Sequence, residues 1–131
     1  MARVFNLVVF DGTITGDAGA NPPPVFYTSQ EHAALLGSVE RLKIQMISRA
    51  TTSLAGTITF VYQVTNAPEY DSWVNSVSKT LSLPAAAGDL PAIAMHYIDS
   101  MNEQAAYGRF KISYDQAATA QFQLIVAGYA D

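Results

Sequence analysis

Hydrophobic and polar residues alternate with a period of two along most of this chain, the pattern of half-buried β-strands. Leu42, Ile44 and Met46 oppose Arg41, Lys43 and Gln45. Ile58, Phe60, Tyr62 and Val64 repeat the alternation, and Leu81 and Leu83 stand against Ser78, Thr80 and Ser82. In Ala92–Ile98 the apolar face is expected to be Ile93, Met95 and Tyr97, with His96 opposite it. Phe110, Ile112 and Tyr114 face away from Arg109, Lys111 and Ser113, and Phe122, Leu124 and Val126 from Gln121, Gln123 and Ile125.

Between these stretches the helical signals are short. Ser29–Leu36 has Thr28 and Glu31 in capping-box spacing and Gly37 as a stop. Ser100–Ala106 is a weaker candidate, with Ser100 and Glu103 in the same spacing. Neither is long enough for a βαβ crossover. About eight strands without crossovers imply an all-β, antiparallel two-sheet sandwich, with jelly-roll type the first choice. Arg3–Phe10 reads as a strand stopped by the turn pair Asp11-Gly12. Residues 12–24, GTITGDAGANPPP, then read as a proline- and glycine-rich loop or arm. Three consecutive prolines remove three donors and exclude a central strand.

Composition adds one argument. The 131 residues fit a single domain, and half of them are hydrophobic while only 14% are charged, against roughly 25% in an ordinary soluble protein. Other chains covering part of the surface would account for that deficit, because obligate interfaces are more apolar than free surface. The segment Asn21, Pro22, Pro23, Pro24 and Val25 is the candidate assembly contact. Formal net charge is −4 with scattered basic residues and no run of them, which argues against nucleic-acid binding. No segment approaches the ~20 apolar residues of a membrane-spanning helix. Asp11 and Asp17 argue against a signal peptide.

Candidate chemistry is sparse. VVFDGTIT (Val8–Thr15) resembles the first motif of haloacid-dehalogenase phosphatases, but Val9 occupies the place of the nucleophilic aspartate, and a strand entering a turn explains it better. His32 and His96 lie in no metal-binding spacing. Asp11 and Asp17 lack dense calcium-ligand spacing, and Ser72 has no nucleophile elbow around it. No catalytic residue, metal or cofactor is expected. Tyr70, Trp73 and Tyr107 fall in or beside turns, where a carbohydrate-binding module would carry a stacking platform. For Trp73, a core plug at one end of the sandwich is the preferred reading.

Thr57–Val74 (a strand, a polar turn and Trp73) resembles an element of β-sandwich modules. Ala105–Gly128, AAYGRFKISYDQAATAQFQLIVAG, resembles their closing strands. With PVFYTSQ (Pro24–Gln30) and RLKIQMIS (Arg41–Ser48), the layout resembles small virion proteins of tailed bacteriophages, in which one jelly-roll or galactose-binding-like domain decorates the capsid, often as trimers. The resemblance implies a non-enzymatic structural role on the capsid surface after synthesis in the host cytoplasm. It also implies the major capsid protein and copies of itself as partners. A glycan-binding module and a shell-forming coat protein are the alternatives, the first with a surface glycan as ligand. No binding residue is carried over from the resemblance.

Overall fold

The computed structural model describes residues 2–17, 19–20, 22–99 and 105–130. Eight strands form two antiparallel four-stranded sheets: β1 (Ala2–Thr15), β2 (Phe26–Tyr27), β3 (Arg41–Thr51), β4 (Thr57–Thr65), β5 (Val74–Ser82), β6 (Ala92–Asp99), β7 (Tyr107–Tyr114) and β8 (Thr119–Ala130). One sheet has the order β1-β8-β3-β6 and the other β2-β7-β4-β5. First pairs with eighth, second with seventh, third with sixth and fourth with fifth. This nesting is a long hairpin of four strand pairs rolled up on itself, the jelly roll.

The alternation expected for β3, β4, β7 and β8 aims their apolar faces into one core. Ile44, Met46, Ile58, Phe60, Phe110, Ile112, Phe122, Leu124 and Val126 are fully buried there. Phe60 and Phe110 meet edge to face at 5.1 Å, and Tyr62 packs against Phe110 at 5.0 Å, a geometry favoured by the ring quadrupoles. The Tyr62 hydroxyl satisfies itself by donating to the Leu36 carbonyl at 3.3 Å. Behind it, an added Cβ on Gly108 would stand 2.3 Å from the Tyr62 oxygen, so the strand can pass the ring only as glycine.

Three expectations are corrected. Asp11-Gly12 is no turn: β1 runs to Thr15, with Asp11 opposite Gln123 and Gly12 opposite Phe122. A ladder of this length outweighs the local turn preference of the pair, so residues 12–15 of the expected loop belong to β1. The helical segment is a 3-10 turn, Gln30–His32, running into α1 (Ala33–Gly37), and its cap is Ser29, whose Oγ accepts from the Glu31 N–H. Thr28 is instead buried and its Oγ1 accepts from the Phe110 N–H at 3.0 Å, prolonging the short β2–β7 pairing. Of the second helical candidate, residues 100–104 lie outside the described residues. Among the described residues no helix is long and apolar enough to cross a membrane.

Candidate interaction surfaces

A bulge in β5 places Ser76 as an extra residue between the pairs Tyr62–Val77 and Gln63–Asn75, while β4 passes β7 in unbroken register. Gln63 then sits opposite both Arg109 and Asn75. Arg109 Nε donates to Gln63 Oε1 at 2.8 Å, and Gln63 Nε2 donates to Asn75 Oδ1 at 2.8 Å. Two rings flank the guanidinium, Tyr27 at 4.2 Å and Trp73 at 4.3 Å from its carbon. Desolvation lowers the Arg109 pKa from its ordinary range, with Tyr27 and Asp71 acting the other way. Asp71 itself ends a 3-10 turn, Pro68–Tyr70, in the left-handed conformation (φ 51°). The cluster fastens the 66–73 loop onto the sheet through a planar cation.

Trp73 is therefore no core plug. It is half-buried on the outside of the β2-β7-β4-β5 sheet, because a planar cation lies where its ring can stack. Among the described residues no ring contact joins it to Tyr70 or Tyr107. Tyr70 is 78% exposed in the 3-10 turn, and Tyr107 starts β7 opposite Thr65. In the proline segment, Pro22 and Pro23 are exposed while Pro24 and Val25 are half-buried. Asn21 lies outside the described residues.

Histidine placement also departs from expectation. His96 points inward: its Nε2 is 2.9 Å from the Thr80 carbonyl, and its ring meets Phe60 edge-on at 6.0 Å. That contact ties β6 to β5 across the two sheets. His32 lies 3.5 Å from Glu31 Oε1. Asp17 Oδ1 accepts from the Gly19 N–H, and Asp11 stays in β1. Among the described residues no group of three or more His, Cys, Asp or Glu is placed to hold a metal ion.

With His96 inside, the expected face of β6 is inverted. Ala92 and Ile98 are buried, whereas Ile93, Met95 and Tyr97 are 56%, 44% and 67% exposed. The strand alternates as expected, but its larger side chains point out. Small Ala92, Ala94 and planar His96 fit the narrow side of the sandwich against Phe60 and β5. One signal for the true face was Asp99, which shares parity with Ile93, Met95 and Tyr97.

Strand registers show what this outward face joins. Across β1, β8, β3 and β6 run the rows Asn6–Ala127–Lys43–Tyr97, Val8–Ile125–Gln45–Met95 and Asp11–Gln123–Ile47–Ile93. Val8 is 46% exposed and continues the apolar band from the far edge. At one end a groove of about 440 Å³ opens between Tyr97 and Tyr129. There Lys43 Nζ sits 5.5 Å from the centre of the Tyr97 ring, and Arg41 pairs with Asp99 at 3.6 Å. The opposite sheet is different. Its corresponding rows are Tyr27–Lys111–Val61–Ser78 and Ser113–Thr59–Thr80, in which Tyr27 at the edge and Val61 are the apolar members. The middle of this outer face is polar, with Tyr27 and Trp73 gathered around Arg109, whereas the other face carries more exposed hydrocarbon along β6.

No protein-family model matches the chain, and a comparison with curated proteins finds no match.

Proposed function

We propose that the protein is a non-enzymatic structural component of a virus particle, decorating or cementing a bacteriophage capsid through protein–protein contacts. The observation that carries this reading is the contrast between the two outer faces. The polar face of β2-β7-β4-β5 suits solvent, while the Val8–Ile125–Met95–Ile93 band suits a neighbouring subunit. Isolated surface hydrophobics need no explanation, but outward apolar residues gathered from β1, β8 and β6 of one sheet suit an interaction site. The charge-poor composition fits the same role, and the jelly roll is an architecture common to capsid and lectin domains. In this reading the apolar band and the exposed prolines are buried against the major capsid protein or copies of the same chain.

Mass spectrometry of purified particles of the virus that encodes the chain tests the proposal. The expected result is the chain as a stoichiometric particle component. Its absence from intact particles would overturn the reading.

A glycan-binding module is the second reading, favoured by the 78% exposed Tyr70 in the turn that leads to the Trp73–Arg109 stack. Glycan-array binding that is lost on Tyr70→Ala or Trp73→Ala, with the fold retained, would raise it above the first.

A further inference from the structure

Two four-stranded sheets have four edges, and three of them carry devices that discourage pairing with another strand. β1 is broken by register shifts at Arg3/Phe5 and Val8/Phe10 and bears Arg3 and Asp11. β2 is two residues long. β5 carries its own register break, and Lys79 lies opposite Phe60, so a charged side chain sits on the inward face of that edge. Bulges, short strands and inward charges are the known protections of sheet edges. β6 has none of them. Its eight residues pair with β3 without a register shift, and no formal charge occurs from Leu90 to Ile98.

We infer that β6 is a strand-addition interface, and that its occupant is β6 of a second copy, antiparallel about a twofold axis at Met95. Charge selects the occupant. The chain carries a net charge of −4, so joining two copies sets like charges against each other wherever acidic residues meet. The β6 edge carries no formal charge from Ala92 to Ile98, and its terminal Asp99 already faces Arg41.

Pattern selects the register. Centred on Met95, the pairing sets Met95 against its counterpart and Ile93 against Tyr97 of the second copy. Each large outward side chain then has an apolar cross-strand partner. Centring on His96 would place Asp99 opposite Ile93, and centring on Ala94 would leave Tyr97 opposite Pro91. On the inner face, Ala94 meets His96 and Ala92 meets Ile98, so two bulky side chains never coincide. The result is an eight-stranded sheet spanning both copies, with the two apolar bands made continuous. This pairing rests on the reading that the chain works by contact with copies of itself.

The chain contains no cysteine, so an introduced thiol reports without background. Directly opposed residues in an antiparallel pair have Cα atoms about 4.5 or 5.5 Å apart, within the range of about 4.4–6.8 Å that a disulfide spans. Purified Met95→Cys, oxidised under mild conditions at micromolar concentration, is expected to give disulfide-linked dimer at least ~10-fold faster than Val74→Cys, at the start of β5, although Val74 is the more exposed position (63% against 44%). Equal rates, or faster linking of Val74→Cys, would overturn the inference. In addition, Met95→Lys is expected to abolish the solution dimer without lowering the thermal midpoint by more than a few degrees. A Met95→Lys protein that keeps the wild-type mass would overturn it as well. Neither readout involves a particle, so failure here is distinct from absence of the chain from virions.

Discussion

Ile93 and Ile98 are the same residue on one strand, five positions apart, and the structure assigns them to opposite sides of the sheet. Ile98 is 3% exposed and belongs to the core cluster, while Ile93 is 56% exposed. Truncating a buried isoleucine to alanine costs about 2–5 kcal/mol, since a cavity adds to the lost transfer energy. Fully burying such a side chain is worth about 1.5–3 kcal/mol, and Ile93 keeps more than half of its surface in water. Its truncation leaves no enclosed void, so the loss stays below about 1 kcal/mol. At roughly 4 °C per kcal/mol for a domain of this size, Ile98→Ala lowers the thermal midpoint by about 8–20 °C and Ile93→Ala by less than about 4 °C. Both are best made in a Met95→Lys background, so that the fold of a single copy is measured rather than any pairing through β6. Urea unfolding followed by circular dichroism gives the two free energies, provided the slopes agree. An Ile93→Ala loss as large as that of Ile98→Ala would refute the face assignment and the apolar band built on it.

Arg109→Ala removes the cation between Tyr27 and Trp73, so the single tryptophan becomes more exposed. Its emission should move to longer wavelength, with a loss of about 1–2 kcal/mol; an unchanged spectrum would contradict the stack. Burial raises the Tyr62 pKa well above the usual tyrosine range. Below about pH 10 the hydroxyl is protonated in both states and stability is unaffected; above it the unfolded chain loses the proton first, and stability falls with rising pH. Tyr62→Phe should make that alkaline decline shallower by up to about 1.4 kcal/mol per pH unit, and parallel pH curves for the two proteins would be the contrary result. Replacing Pro22 and Pro23 by serine should leave the thermal midpoint within about 2 °C, as expected for exposed positions, while reducing assembled mass; unchanged assembly would remove the proline segment from the interface.

The sandwich was legible because β3, β4, β7 and β8 each write large apolar residues on one parity and polar ones on the other. Burial of Phe60, Phe110 and Phe122 follows directly from that. What failed was decided by a partner strand or a neighbouring face. Asp11-Gly12 has the local preferences of a turn, and only its pairing with Gln123 and Phe122 keeps the chain extended. In β6 both parities carry hydrocarbon, so the period was readable and the sign was not. Space near Phe60 and Thr80 chose alanine and histidine for the inside. Trp73 was read as core because a tryptophan beside a turn is usually buried, yet its stacking partner Arg109 lies 36 residues away and no local pattern links them. Tyr70 and Tyr107 were correctly placed beside turns, but proximity in that sense does not bring their rings together. The outward face of β6 was thus written in the residues expected to fill the core.

The central claim is that the β6 side of the sheet β1-β8-β3-β6, with its outward Ile93, Met95 and Tyr97, is made to meet another chain. Its most direct test is the mass of the purified protein by light scattering from low micromolar to near-millimolar concentration. The account predicts a species of at least twice the 14.1 kDa chain mass, reduced to a single chain by Met95→Lys. A 14.1 kDa monomer across the whole range, with an apolar band that stays in water, would contradict it.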